Sequence, residues 1–227
     1  MVDAVIVAIE AATEGCSAAV ETPAGIVQRF AEAPRQHSVR LLPMLAEAMA
    51  EAGVDHQQVG AVAFGQGPGG FVGVRLAASV AQGLCLAWEV PALPISTLAA
   101  LANGARREYG VQSVVAALDA RMGQVYWGSY KLSCGHQLMA TEHGDQVADP
   151  EQLAASLDNN GIDVAKCFGI GRGFAAYAQY LPQHGLGVDA AALPQARDLL
   201  PHARHMLDTA QGVAPQLALP VYLREGV

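Results

Sequence analysis

The sequence predicts an α/β fold made of two similar lobes, each a mixed sheet with helices packed on it. Two short, continuous apolar runs, at residues 4–9 and 60–64, are typical of buried strands. A segment with apolar residues at helical spacing, residues 37–52, lies between them. The same alternation starts again at residue 113, which indicates that the second half of the chain repeats the first.

Three antiparallel strands are expected to open the first half. The strand at residues 4–9 runs into a polar turn, and residues 17–21 and 26–32 then form a hairpin. The further elements predicted here are helix 37–52, which stops at Gly53, strand 60–64, helix 74–88, strand 92–95 and a helix that Ser96 caps and that ends near Arg107.

The second half shows the same order of elements. Those predicted are strands 113–118, 124–131 and 167–170, helices 150–157 and 195–209, and a short helix that ends at Tyr180. No linker of biased composition separates the halves, so the lobes are placed at residues 1–100 and 101–227, with the last helix a candidate for packing back onto the first lobe. By analogy of element order, this is the layout of the actin/Hsp70/sugar-kinase (ASKHA) superfamily, in which a nucleotide lies between the lobes.

The most informative stretch is the glycine-rich segment at residues 65–73, between a predicted strand and a predicted helix. Gly65, Gly67 and Gly70 match the spacing GxGxxG, but the acid expected after the next strand is missing. A P-loop is excluded because no Gly-Lys-Ser/Thr occurs. The alternative is a tight turn whose glycines allow close strand–helix packing, and the pattern alone leaves both anion binding and packing open.

Several segments are more specific than their patterns. Those that resemble the bacterial TsaB family, formerly called YeaZ, are VIVAIEAATEGCSAAV at residues 5–20, HSVRLLP at 37–43, GPGGFVGVR at 67–75, DARMGQVY at 119–126 and PVYLR at 220–224. The resemblance covers the whole chain, with the best matches before residue 130.

The resemblance implies a partner subunit in tRNA modification. In that family TsaB pairs with TsaD, which carries the chemistry, and the ATPase TsaE joins the pair. The complex attaches a threonylcarbamoyl group to the adenosine at position 37 of tRNAs that read codons beginning with A. We therefore expect this chain to have no catalytic residue and no cofactor, to meet tRNA only indirectly, and to form a homodimer when its partner is absent.

The family's docking surface is formed by the first two helices of the N-terminal lobe, here residues 37–52 and 74–88. Both helices are apolar over a wider arc than one core-facing stripe needs, which favours an interface over core packing alone. The residues predicted at this interface are His37, Leu41, Leu42, Leu45, Met49, Val74, Ala77 and Ala81.

Superfamily ATPases use acids at two phosphate turns between the lobes, which correspond here to residues 10–15 and 119–123. Ala11 and Ala12 stand where the TsaB family has Thr-Ser, so a hydroxyl that could bond a phosphate is lost and hydrolysis is not expected. The remnant of the nucleotide site is predicted at Glu10, which replaces Asp, and at Thr13, Gly67, Gly69, Gly70, Asp119, Gly123 and Gly171. Arg75 either pairs with an acid to hold the loop or contributes to an anion site, and the first role is expected because Arg75 lies past the loop in the predicted helix.

No metal site is predicted. His37 is followed four residues later by Leu41, so the paired histidines of TsaD are absent, and His202 and His205 are expected to be solvated. His56, His136, His143 and His184 are expected in surface loops. The alternative function is an independent hydrolase, either a weak ATPase or a glycoprotease-type peptidase, although no GxSxG segment supplies a nucleophile.

Composition sets the remaining expectations. The net charge is −8, from 21 acidic and 13 basic side chains, so tight RNA binding by this chain alone is not expected. The four cysteines contain no CxxC and are interpreted as buried thiols in a reducing compartment. No apolar run approaches the roughly 20 residues of a membrane span, so no membrane contact and a cytoplasmic location are expected.

Overall fold

The computed structural model describes residues 4–133, 137–181 and 185–224, and the first half of the chain forms its first sheet. The strands are β1 (Val5–Glu10), β2 (Gly15–Thr22), β3 (Gly25–Glu32), β4 (Val59–Gly67) and β5 (Ala92–Ser96). They lie in the order β3-β2-β1-β4-β5; the β1/β2 and β2/β3 pairs are antiparallel, and the β1/β4 and β4/β5 pairs are parallel. All of β1 is buried, as a central strand of continuous apolar residues should be.

The second sheet has the same topology as the first. Its strands are β6 (Ser113–Arg121), β7 (Gln124–Leu132), β8 (Met139–Ala148), β9 (Phe168–Ile170) and β10 (Val188–Asp189). Their order is β8-β7-β6-β9-β10, and β6 again pairs antiparallel on one side and parallel on the other. The predicted two-lobed fold with a mixed sheet in each lobe is therefore confirmed.

Six helices cover the sheets in the described part of the chain. They are α1 (His37–Ala52), α2 (Phe71–Trp88), α3 (Thr97–Tyr109), α4 (Pro150–Asn159), α5 (Gly173–Ala176) and α6 (Ala196–Asp208). The bounds of α1 are those predicted, and Gly53 ends it in the left-handed conformation at φ 66°. Helix α2 begins three residues earlier than predicted, because Gly70 is its N-terminal cap.

The two faces of the first sheet carry different helices, as the alternation of side chains along β1 requires. Val7 and Ile9 belong to a core shared with α1 and α2. Ile6 and Ala8 point the other way and join a core that includes α3, α6 and second-sheet residues such as Val114. The two lobes therefore share one continuous core around α3 and α6. The lobe boundary near residue 100 falls within α3 and stays a prediction.

Helix α6 is the last helix of the six and is fastened to the first sheet. The backbone N–H of Ala196, its first residue, donates to Ser17 Oγ on β2 at 2.9 Å. Arg204 donates to Glu21 Oε2 at 2.7 Å and to the carbonyl of Ala4 at 3.0 Å. These bonds join residues that are up to 200 positions apart in the sequence. They tie the last helix to the N-terminal strands of the first lobe.

Strands β8 and β10 were not predicted, and His143, expected in a loop, lies on β8. Strand β8 is at the edge of the second sheet and much of it is exposed, so polar residues replace the apolar pattern by which strands are recognised. His136 and His184, also expected in loops, lie outside the described residues.

Cys16, Cys85 and Cys167 are free and buried, as predicted, whereas Cys134 lies outside the described residues. Helix α2 was not expected to resemble a membrane span, yet it is long and apolar enough to do so by length and composition. Its inner face, which includes Val74 and Ala77, is buried against the first sheet. The helix therefore forms part of the layer that covers that sheet.

Ser96 is predicted to matter for stability because it serves both lobes. Its Oγ accepts hydrogen bonds from Leu98 N and Ala99 N at the start of α3 and donates to Asp145 on β8. We expect Ser96→Ala to lower the free energy of unfolding by about 2 kcal/mol, since it removes a helix cap and a partner of a largely buried carboxyl. Urea denaturation measures this loss.

The matched control is Ser156→Ala on α4, whose hydroxyl bonds only the carbonyl of Gln152 in an exposed turn. This control should change the free energy of unfolding by less than about 0.5 kcal/mol. Equal effects of the two substitutions would contradict a bridging role for Ser96.

Candidate functional site

The glycine-rich loop lies directly on the first phosphate turn. The backbone N–H of Gly70 donates to the carbonyl of Ala12 at 2.7 Å. A Cβ atom on Gly69 would lie 2.4 Å from that same oxygen, and one on Gly73 would lie 2.0 Å from the carbonyl oxygen of Ala11. Any side chain at these two positions would collide with backbone, so glycine is required for close packing.

Glu10, at the end of β1, is fully buried under this contact. Its Oε1 accepts a hydrogen bond from Ala12 N at 2.6 Å, while Oε2 has no partner among the described residues. A Cβ on Gly65 would lie 1.9 Å from Oε2, so the neighbouring glycine provides the room for this carboxyl. Burial raises the pKa of Glu10 to about 7, although the Ala12 N–H lowers it in part.

The other side of the loop is covered by the C-terminal segment. Gly67 has φ 109°, and a Cβ there would lie 3.1 Å from the carbonyl oxygen of Val221. The backbone N–H of Val221 donates to the carbonyl of Gln66 at 2.8 Å. The loop is therefore enclosed by the chain itself, which favours the packing interpretation over a phosphate cradle.

The second turn is held by its own side chains. Asp119 Oδ1 accepts hydrogen bonds from Arg121 N and from the hydroxyl of Tyr177, both at 2.8 Å. Gly123 closes this turn at φ 77°. Asp119 thus acts as a turn-forming residue here, with its acceptor capacity used within the lobe.

Thr13 and Gly171, the remaining predicted remnant positions, are also explained by local structure. Thr13 Oγ1 accepts from Gly15 N at 3.3 Å. A Cβ on Gly171 would lie 2.4 Å from the carbonyl oxygen of Ala117 on β6. The turn after β9 at residues 171–173, here called the third turn, therefore packs tightly on the second sheet. The predicted positions are thus brought to facing turns of the two lobes, in each case with a structural partner.

Ion pairs connect these turns across the lobes. Arg172, in the third turn, lies 3.4 Å from Glu14 Oε2 and 2.7 Å from Glu32 Oε1. Arg121 lies 3.5 Å from Glu14 Oε1. Because the acids belong to the first lobe and the arginines to the second, these contacts connect the two lobes beside the facing turns.

A hydrolase with a serine nucleophile would need a serine beside a histidine. Among the described residues, Ser129 and His143 form such a pair. Ser129 Oγ lies 3.1 Å from His143 Nδ1, but Ser129 is only 1% exposed. A nucleophile must reach its substrate, so this pair stabilises the β7/β8 edge rather than forming an accessible catalytic dyad.

His202, expected to be solvated, is instead partly buried. Its Nδ1 lies 2.9 Å from Asn103 Nδ2, and burial lowers the pKa of His202 to about 4. The apolar flank of α6 that packs on α3 removes this ring from water, which the sequence pattern did not indicate. Over residues 4–133, 137–181 and 185–224, no group of three or more His, Cys, Asp or Glu side chains is placed to hold a metal ion.

Arg75 also differs from the prediction, since it pairs with no acid among the described residues. Its guanidinium lies 3.1 Å from the ring centroid of Phe71 and 4.8 Å from that of Tyr222, and donates to the carbonyl of Phe71. Stacking between two aromatic rings replaces the expected ion pair.

The predicted interface requires a correction. Five of the eight residues are buried in the first lobe's own core, so they cannot contact a partner while the lobe is folded: Leu41, Leu45, Val74, Ala77 and Ala81. The physical reason is that these positions form the stripe that covers the sheet. Of the other three, Leu42 is 48% exposed, and His37 and Met49 are half-buried.

A different set of residues forms the outward face of α1 and α2. Helix α1 exposes Val39 and Leu42, and α2 exposes Val72, Gly83 and Leu86. A Cβ on Gly83 would meet no atom within 4 Å, so nothing in the lobe explains a glycine in mid-helix. Leu42 was predicted at the interface, whereas the other four residues were missed. Their signal was present in the sequence, because they are apolar or small residues out of phase with the core stripe.

Comparison with known proteins agrees with this architecture. A family model described as TsaD, tRNA N6-adenosine threonylcarbamoyltransferase, matches residues 16–220. The chain is 36% identical over 224 residues to the tRNA threonylcarbamoyladenosine biosynthesis protein TsaB of Escherichia coli K12, covering 98% of this chain and 95% of that protein. It is 35% identical over 235 residues to TsaB of Haemophilus influenzae, covering 98% and 94%.

Solved structures give the same result. Two structures of a Pseudomonas aeruginosa protein, one described as YeaZ and one as similar to the peptidase YEAZ, superimpose with a TM-score of 0.89. Each is 42% identical in sequence and covers 97% of this chain and 100% of its own.

We predict that stability falls with rising pH because of Glu10. Its pKa is about 7 in the folded chain against 4.5 for the free group, so the folded state holds this proton more tightly. Unfolding releases the proton between those two pH values; the stabilisation is present below about pH 4.5 and is lost as pH rises through 7. Glu10→Gln keeps an acceptor for Ala12 N and removes this titration.

The measurement is the free energy of unfolding of both proteins from pH 5 to pH 8. The advantage of Glu10→Gln over the wild type should be about 2 kcal/mol larger at pH 8 than at pH 5. Other titrating groups cancel in the difference. Two parallel curves would show that Glu10 does not carry this proton.

Proposed function

Because the chain belongs to the TsaB family, we propose that it is a non-catalytic partner subunit in the biosynthesis of threonylcarbamoyladenosine in tRNA. Its function would be to dock a TsaD-like catalytic subunit, which a TsaE-like ATPase joins. The role in this biosynthetic pathway follows from family membership. The absence of catalysis and the identity of the partners are the parts that the proposal adds.

The observation that carries the proposal is the outward face of α1 and α2. Gly83 in mid-helix costs about 1 kcal/mol relative to alanine, and no contact within the lobe offsets that cost. A residue without a side chain lets another helix approach closely. Leu86 on the same helix and Val39 and Leu42 on α1 are exposed apolar side chains, so the face has the character of a helix–helix interface.

The cleft between the lobes supports a non-catalytic role. Glu10 is buried, lies under the glycine loop and has no neighbouring hydroxyl at position 11 or 12 that could bond a phosphate. An acid that handles a metal-bound nucleotide has to be ionised and reachable. Burial raises the pKa of Glu10, which opposes its ionisation. The glycine loop covers the carboxyl, which blocks access to it.

Charge supports an indirect role towards tRNA. With a net charge of −8, this chain would repel a phosphate backbone over much of its surface. A complex containing it would therefore hold tRNA through another subunit. The same outward face would pair two copies of the chain when the partner is absent, since a two-fold axis can bring identical helices together. The complex would form in the cytoplasm.

The test is light scattering after size-exclusion chromatography, for the chain alone and mixed with the TsaD of its own organism. We expect Gly83→Phe to weaken the mixed complex at least 30-fold, because a bulky ring would fill the space into which a partner helix packs. Titration calorimetry gives the affinity, and a thermal melt of the isolated chain checks that the lobe stays folded.

The matched control is Ala155→Phe, which places the same ring on the exposed surface of α4 in the other lobe. This variant should bind as the wild type does. If the wild type forms no mixed complex at micromolar concentrations, the partner function is wrong, and an independent hydrolase would be assayed next.

A further inference from the structure

The C-terminal segment at residues 218–224, here called the C-terminal strap, runs from the first lobe to the second. Its first residue, Ala218, is buried, and its carbonyl accepts from Gln82 Nε2 on α2 at 3.0 Å. Val221 bonds Gln66 beside the glycine loop, as described above. The first part of the strap is therefore seated on the first lobe.

Arg224 fixes the other end of the strap to the β6/β7 turn. Its guanidinium donates to Gln124 Oε1 at 2.7 and 3.0 Å, and to the carbonyls of Ala120 and Arg121 at 3.2 Å each. These hydrogen bonds hold the end of the strap in place, because breaking them would leave guanidinium N–H groups without acceptors in a partly buried site, which costs free energy.

Two large side chains of the strap are exposed. Leu219 is 54% exposed and Tyr222 is 44% exposed, although both are large and apolar in most of their area. Tyr222 covers Arg75, which in turn covers Phe71 at the start of α2. The strap and the first turn of α2 therefore form one ordered, exposed surface of aromatic and apolar groups.

This surface also carries unbalanced positive charge. Among the described residues, neither Arg75 nor Arg224 contacts a carboxylate; their partners are rings, carbonyls, an amide and the sulfur of Met122. Cations without counterions are unexpected on a chain of net charge −8. They favour a partner that brings a carboxylate to this place.

We propose that the C-terminal strap and the first turn of α2 form a second part of the docking surface for the catalytic transferase subunit. The inference rests on the proposed function. The catalytic subunit is the favoured occupant because Phe71 and Val72 lie on the helix whose outward face contains Gly83, so one partner can cover both parts. That partner contributes an apolar anchor beside Tyr222 and a carboxylate beside Arg75.

The experiment is titration calorimetry of the full-length chain with its own organism's TsaD, at 50 and 300 mM NaCl. Tyr222→Ala should weaken binding at least tenfold, whereas Tyr222→Phe keeps the ring and should bind within twofold of the wild type. Arg75→Met should reduce the salt dependence of the affinity, and Arg75→Lys should restore it.

Gly83→Phe separates the two ideas. If the wild type binds, Gly83→Phe does not, and both Tyr222→Ala and Arg75→Met bind as the wild type does, the strap surface is wrong while the partner function stands. If these substitutions weaken only the homodimer, or only the addition of the ATPase, the occupant is wrong and the inference is overturned. Melting temperatures within 3 °C of the wild type are required of each variant used.

Discussion

The rest of the structure depends on the contact between the glycine loop and the turn at residues 11–12. Two backbones meet there with no side chain between them, since a Cβ at position 69 or 73 would lie closer to a carbonyl oxygen than atoms can approach. This contact sets the distance between β1 and the start of α2. It thereby fixes the outward face of α2, and it places Glu10 out of reach of solvent. A single packing constraint thus shapes both the cleft and the proposed docking surface.

The closed turn also bears on the predicted remnant of a nucleotide site. The three turns face one another as the two-lobed fold requires, because each follows the end of a strand in one of two equivalent sheets. What fills the space is the chain itself: Ala11 and Ala12 lie beneath the loop, Val221 lies over it, and Arg172 pairs with acids of the first lobe. Nucleotide-driven opening would have to break these contacts at once, whereas a docking subunit gains from their rigidity.

The sequence predicted the fold well where burial imposes a period and poorly where it does not. Helix α1 and the central strands β1 and β6 were recognised because one face or both faces of each are covered. Strand β8 was missed because an edge strand with a solvated face needs no apolar alternation. The same cause explains the interface residues: Leu41 and Ala77 satisfy a helical period because they cover the sheet, so periodicity selected the core stripe. Identifying the outward face required knowing which stripe was already occupied.

Rigidity between the lobes is what a subunit without chemistry would need. Helices α3 and α6 lie in a core shared by both sheets, and Ser96 of the first lobe bonds Asp145 of the second. At the far side, the C-terminal strap joins Gln66 to the β6/β7 turn. These ties lie on different sides of the molecule, so a hinge motion that relaxes one of them strains the others. An enzyme of this fold that closes on its substrate would be hindered by such ties, but a surface built from both lobes is kept in shape by them. The arrangement therefore favours presenting a fixed surface over turning over a ligand in the cleft.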